Sequence, residues 1–136
     1  MSPALPPGLD IPHTAQSLAL GSEVCRRFYA LFPESDERYG SRGREHCAND
    51  NAYLVGWVRH AQAVDAPDLF RRNAVWLHGL LMARGFPADQ FLRNLELVAE
   101  VLLDEHLIDE ATGARIVGAV VADLRAEAEA RTPSTP

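Results

Sequence analysis

The chain has 136 residues, 47% of them apolar, which is enough for one globular domain with a hydrophobic core. All thirteen basic residues are arginine, and nineteen acidic residues give a net charge of −6. An acidic chain is poorly suited to a phosphate backbone or an anionic membrane surface. We therefore expect no direct nucleic-acid partner and no membrane partner.

Sequence features that mark cellular location are scarce. The N-terminus has neither the basic nor the apolar region of a secretory signal peptide, and no apolar run reaches the roughly 18 residues of a membrane span. Cys25 and Cys47 match no metal-binding spacing, which is typical of reduced thiols. These observations predict a soluble, cytoplasmic protein without a disulfide.

Helical periodicity dominates the chain between two proline-containing ends. Apolar residues recur with a period near 3.6 in most segments, and the apolar runs lack the β-branched clusters that strands favour. We predict a disordered arm at residues 1–13, a helical bundle at residues 14–131 and a disordered tail at residues 132–136. The predicted fold class is all-α, a single-domain, up-and-down bundle of four to five helices.

The first predicted helix covers residues 14–31, and a connector separates it from the second. Thr14 is a suitable N-cap, and the Phe32-Pro33 step disfavours further helix. Its predicted apolar face consists of Leu18, Val24, Phe28 and Leu31. Residues 34–43 contain two glycines and are predicted as a connector. The second helix follows it, and its inward stripe includes the acidic residue Asp50 as well as Trp57.

Capping signals delimit the last three helices. The third begins at Asp65, a predicted cap that precedes Pro67, and ends at Gly85. The fourth begins near Pro87 and is so apolar that we predict it to be the central helix. The fifth begins at Asp109 and continues to about residue 130.

Residues that could carry chemistry are present but not in catalytic or metal-binding patterns. No two of the five histidines have the i+3 or i+4 spacing that places two ligands on one helix face. The chain has no G-x-S-x-G motif, and both cysteines lie on apolar helical faces. The arginines of "GSRGRE" and the Arg71-Arg72 pair suit either anion binding or surface ion pairs. We predict neither a bound metal nor an enzyme.

The third helix carries the candidate ligand-binding residues. Trp76, Asn73, Leu80 and Ala83 share one stripe at helical spacing, with the tryptophan at its margin. A tryptophan ring beside a polar neighbour can border an apolar pocket, because the indole N–H then finds a partner. Ordinary core packing of Trp76 is the alternative.

Residues 38–105 resemble the small helical domain that precedes the cobalamin-binding Rossmann-like domain in corrinoid proteins and cobalamin-dependent photoreceptor regulators. The resemblance rests on "RYGSRGREHCAND", on the L-F-x-x-x-x-x-W helix and on the RG-x-P-x-x-x-x-x-x-N-L junction, in this order. It covers about half of the chain.

The resemblance implies a helical bundle over the upper face of a corrin, with Trp76 near the upper ligand. Cobalamin is therefore the cofactor to test. The D-x-H-x-x-G motif of the Rossmann-like domain does not occur in this chain, so no residue is identified as a cobalt ligand. Light-sensing members carry Glu-His where this chain has Phe86-Pro87.

These observations predict a non-enzymatic regulatory or binding module that resembles the helical lid of cobalamin-binding proteins. It would dock on a protein partner or close a small apolar pocket. The alternative is binding of cobalamin or another tetrapyrrole, either with a separate Rossmann-like subunit or as a homodimer.

Overall fold

The fold was obtained as a computed structural model, which describes residues 11–131. Within that range the chain is a bundle of helices without strands, so the predicted all-α fold is confirmed. The helices are α1, Ala15–Leu31; α2, Ser35–Ala63; α3, Pro67–Ala83; α4, Ala88–Asp104; and α5, which joins Glu110–Gly113, the π-helical Ala114–Gly118 and Ala119–Arg131.

Helix α1 begins with a capping box and packs closely along α2. Thr14 accepts a hydrogen bond from the Ser17 backbone N–H at 3.0 Å, and the Ser17 hydroxyl accepts one from the Thr14 backbone N–H. A Cβ added at Gly21 would lie 2.5 Å from the Ala52 backbone nitrogen, so only glycine permits this approach. The predicted apolar face is wrong in part, because Leu18 and Leu31 are exposed. The buried face follows an i, i+4 repeat, Leu20, Val24 and Phe28, with Gly21 and Cys25 beside it.

Helix α2 starts earlier than its sequence suggests. The predicted connector at residues 34–43 is wrong, since the chain is helical from Ser35 onward. Only Gly40 departs from helical geometry, with φ 66°, and the helix kinks there. The Arg44 guanidinium, 2.7 Å from the Asp36 carboxylate, joins the two sides of the kink.

The two ends of α3 differ in their capping interactions. Pro67 is at the first turn as predicted, but Asp65 does not cap the helix. Asp65 has φ 51°, and its carboxylate pairs with Arg115 of α5 at 3.0 Å instead. At the other end Gly85 has φ 80°, and the Gly85 and Phe86 N–H groups bond to carbonyls of the last turn in a Schellman motif.

Helix α4 lies at the centre of the bundle, as predicted. It contacts α1, α2, α3 and α5, and its aliphatic side chains Leu95 and Leu102 are fully buried. Asp109 is the N-cap of helix α5, and its carboxylate accepts a hydrogen bond from the Thr112 backbone N–H. No helix within residues 11–131 is both long and apolar enough to cross a membrane.

Residues 11–13 lie along α2. The Ile11 side chain packs over Gly56, and the His13 ring lies 4.2 Å from the ring of Tyr53. His13 also forms a hydrogen bond with Asn49 at 2.9 Å. These last residues of the predicted arm are therefore packed against the bundle. Its remainder at residues 1–10 and the predicted tail at 132–136 lie outside the described residues.

Candidate functional site

A cavity of about 860 Å³ lies among α1, α2, α3 and the start of α4. We call it the aromatic cavity. Its aromatic lining consists of Phe28, Tyr29, Tyr39, Tyr53, Trp57, Trp76, Phe86 and Phe91. Ligand pockets commonly measure 300–1,000 Å³. The cavity therefore has the size and lining of a small-molecule site.

Two irregular points in the backbone place Tyr39 and Phe86 over this cavity. Gly40 kinks α2 directly after Tyr39, and the Schellman turn at Gly85 carries Phe86 inward. The two rings stack with centroids 5.8 Å apart. A Cβ at Gly43 would come within 2.3 Å of the Tyr39 Cβ, so the tyrosine packs directly on the backbone of Gly43, one turn later in α2. The Tyr39 hydroxyl is buried and has no hydrogen-bond partner among the described residues.

A reciprocal amide pair links α2 to α4 at the cavity wall. Asn51 Nδ2 donates to Asn94 Oδ1 at 3.1 Å, and Asn94 Nδ2 donates to Asn51 Oδ1 at 2.8 Å. Asn51 Nδ2 also donates to the Cys47 carbonyl at 3.0 Å. Both asparagines are buried, and these bonds satisfy amides that would otherwise be costly to remove from water. The pair fixes the relative position of the two helices.

Asp50 supplies the only carboxylate among the described residues that line the cavity. It forms no hydrogen bond or ion pair within the described part of the chain. Burial raises the pKa of this carboxyl to about 6, while His46 and Arg84 act in the opposite direction. A carboxyl group in this state can accept a hydrogen bond from a ligand or, once protonated, donate one.

The two cysteines meet where α1 packs on α2. Cys25 is buried, and Cys47 is half-buried and lines the cavity. A hydrogen bond with the Cys25 thiol and burial both raise the pKa of Cys47. A thiol in this environment stays protonated at neutral pH, which makes it a poor nucleophile and a poor metal ligand.

The candidate ligand residues of α3 divide into two groups. Trp76 and Leu80 line the cavity, and Trp76 is half-buried. Asn73 is 5% exposed and lies outside the lining, where its Oδ1 accepts a long hydrogen bond from Arg72 at 3.5 Å. Ala83 is exposed and also lies outside the lining. Of the predicted stripe, only the two middle residues, Trp76 and Leu80, therefore line the cavity.

The positions of these four residues around and along α3 explain why only Trp76 and Leu80 line the cavity. The cavity follows Trp76, Leu80 and Arg84, which advance around α3 by about 40° per four residues. Ala83 lies about 100° from Arg84 around the helix axis and does not face the cavity. Asn73 has the right phase but lies one turn earlier, inside the packed bundle.

Most of the cavity residues were not among the candidates from the sequence. Asp50 was visible as an acid on the inward stripe of α2, and an unpaired acid on an apolar face is a usable signal. Tyr39 lay in the predicted connector and was therefore missed. The pairing of Asn51 with Asn94 spans 43 positions and has no local signal.

No three side chains of His, Cys, Asp or Glu between residues 11 and 131 are grouped so that they could hold a metal ion. The chain matches no family model, no curated protein and no solved structure in the comparisons with known proteins.

Proposed function

We propose that this chain is a non-enzymatic binding module that holds an aromatic or other apolar small molecule in the aromatic cavity. The observation that carries the proposal is the cavity itself, about 860 Å³ in volume and lined on several sides by aromatic rings. Such rings contribute large apolar contact areas to a ligand without many rotatable bonds. Of the two modes expected from the sequence, enclosure of a ligand has more support than docking on a protein surface.

The polar groups of the cavity support binding of a ligand in one orientation. Among residues 11–131, neither the Tyr39 hydroxyl nor the Asp50 carboxylate has a hydrogen-bond partner. A few convergent polar groups in an apolar cavity are the usual source of ligand orientation. Asn51 and Asn94 are already satisfied by each other, so their role is to hold the walls.

Binding can be measured with phenylnaphthylamine, an uncharged aromatic probe whose fluorescence rises in apolar surroundings. We expect saturable binding to the protein as it is. Leu80→Trp introduces a larger side chain into the cavity and should raise the dissociation constant about tenfold or more. The stoichiometry of saturation gives the number of sites, and competition with naphthalene derivatives shows that they bind where the probe does.

Val75→Trp is the matched control, because Val75 lies on the same helix, is 40% exposed and does not line the cavity. This variant should bind the probe within about twofold of the parent. Circular dichroism and thermal unfolding of both variants establish that they fold. Equal binding by Leu80→Trp and the parent would contradict the proposal.

A tetrapyrrole ligand is the second candidate, and the position of Trp76 favours it. The resemblance assigns Trp76 to the upper face of a corrin, and this ring borders the aromatic cavity. Cobalamin would then bind between this bundle and a separate Rossmann-like subunit, or between two copies of the chain. Absorption spectra with cobalamin, haem and bilins at equal concentration, together with size-exclusion chromatography, test this. Unshifted spectra and an unchanged elution volume for all three would contradict it.

A further inference from the structure

Three arginines line the aromatic cavity, and they differ from the other arginines of the chain. Arg38, Arg42 and Arg84 are exposed, so they lie at the opening of the cavity. None of their guanidinium groups forms a hydrogen bond or an ion pair with a described residue. The Arg38 guanidinium lies 5.4 Å from the centre of the Tyr39 ring, and Arg84 is near enough to Asp50 to lower the pKa of that carboxyl. His46 is a further exposed basic residue of the lining.

Arginines elsewhere in the chain are partnered. Arg59 donates to the Leu107 carbonyl at 3.1 Å, and Arg72 donates to Asn73. The arginines in ion pairs with carboxylates are Arg26, Arg27, Arg44, Arg71, Arg93, Arg115, Arg125 and Arg131. Within residues 11–131, the arginines without a hydrogen bond or ion pair are therefore concentrated at one opening, although the chain has nineteen acidic residues and a net charge of −6.

Cations therefore outnumber carboxylates among the described residues of the cavity lining, where Arg38, Arg42 and Arg84 are accompanied by the single carboxylate of Asp50. A guanidinium group without a partner keeps its N–H donors available for a carboxylate, sulfonate or phosphate. The Asp50 carboxylate also lines the cavity, but His46 and Arg84 oppose its charge. A ligand anion at the arginines would thus have three cations near it, with its apolar part beside the aromatic rings.

We infer that the ligand of the aromatic cavity is an amphipathic organic anion, with an aromatic or apolar body inside and its anionic group at Arg38, Arg42 and Arg84. This inference rests on the proposed binding function. The shared chemistry is a carboxylate, sulfonate or phosphate attached to an apolar ring system. Planar tetrapyrroles with free carboxylates belong to this class.

Two probes that differ by one anionic group test the inference. Anilinonaphthalene sulfonate carries a sulfonate, and phenylnaphthylamine has a similar ring system without it. The double variant Arg42→Gln/Arg84→Gln should weaken binding of the sulfonate about tenfold and binding of the uncharged probe by less than about twofold. Added salt should weaken sulfonate binding to the parent more than to this variant.

The double variant Arg115→Gln/Arg125→Gln is the control for net charge, because it removes the same two charges from α5 and neither residue lines the cavity. It should leave both dissociation constants within about twofold. If the Arg42→Gln/Arg84→Gln variant is poorly folded by circular dichroism, Arg38→Gln serves as the second variant, with the same expected direction.

The outcomes separate this inference from the proposed function. Binding of both probes with no selective loss of the sulfonate in the arginine variants would overturn the anion inference and leave the binding function intact. Failure of both probes to bind would overturn both. Competition by naphthoate and naphthyl phosphate distinguishes carboxylate from phosphate ligands. Equal competition by methyl naphthoate and naphthoate would overturn the anion inference.

Discussion

The α4–α5 side of the bundle and the aromatic cavity are built from different residues. In the core between α4 and α5, aliphatic side chains pack together, and Leu102, Ile116 and Val117 are at most 1% exposed. Around the cavity, aromatic rings and polar groups surround about 860 Å³ of space. The three aliphatic side chains of the first region are enclosed by their neighbours, whereas the side chains around the cavity border open space.

This difference shows what each region contributes. Close packing of branched aliphatic residues removes apolar surface from water and stabilises the fold. The residues around the cavity make fewer such contacts. Its wall includes the Asp50 carboxyl and the Tyr39 hydroxyl, neither of which has a hydrogen-bond partner in the described part of the chain. A fold retains groups of this kind at a cost in stability, which is common at functional sites.

The largest expected effect is on the packed side. Leu102→Ala and Leu95→Ala should each lower the free energy of unfolding by about 2 to 5 kcal/mol, because both side chains are fully buried and leave cavities. Leu80→Ala, on the cavity wall, should cost less than about 1.5 kcal/mol because its removal only enlarges existing space. Urea denaturation measures all three. Equal losses would mean that the two regions do not differ in packing.

Asp50 should make stability depend on pH in the direction opposite to that of a salt-bridged acid. Burial raises its pKa from the ordinary value of 3.8 to about 6 in the folded chain. Between these values the folded protein binds the proton more tightly than the unfolded chain does. The stabilisation from this proton is therefore fully present below pH 3.8 and is lost as the pH rises through about 6.

The variant Asp50→Asn separates the contribution of Asp50 ionisation to the pH dependence of stability from that of the other acidic residues. The variant should be more stable than the parent at pH 7 by up to about 2 to 3 kcal/mol, and equally stable near pH 3.5. Parallel urea titrations at the two pH values measure the difference. A constant difference across this range would contradict the assignment to Asp50 ionisation.

The amide pair should have a smaller effect. Asn94→Ala leaves the Asn51 side chain without its partner on α4 and should cost about 1 to 2 kcal/mol. The double variant Asn51→Ala/Asn94→Ala should cost less than the sum of the single variants, because the two losses share one interaction. Thermal unfolding of the three variants gives the coupling energy. Simple additivity would show that the pair is not an energetic unit.

The sequence predicted the helical fold well because its signals are local. The 3.6 period, the Thr14 cap and the Gly85 stop each depend on neighbouring residues, and all three have the expected structures. Asp65 shows the limit of such signals, since a tertiary ion pair with Arg115 replaces its capping role.

The cavity was less accessible to prediction because it joins residues that are distant in sequence. Trp76 and Leu80 were found from their helical stripe, but Tyr39 and Phe86 meet only after two glycine turns orient their segments. Periodicity shows which face of a helix is buried. It does not show whether neighbouring faces fill the space between them.

The smallest expected effect is spectroscopic and concerns the two tryptophans. Both line the cavity, but Trp57 is 3% exposed whereas Trp76 is half-buried. In single-tryptophan variants, Trp57→Phe leaves Trp76 as the emitter and Trp76→Phe leaves Trp57. Acrylamide should quench Trp76 several-fold more strongly than Trp57, because collisional quenching requires access to the ring. Stability should change little in Trp76→Phe, since phenylalanine retains much of the apolar contact at a site that is not tightly packed. Equal resistance of both indoles to acrylamide would identify Trp76 as an ordinary core residue and remove it from the binding site.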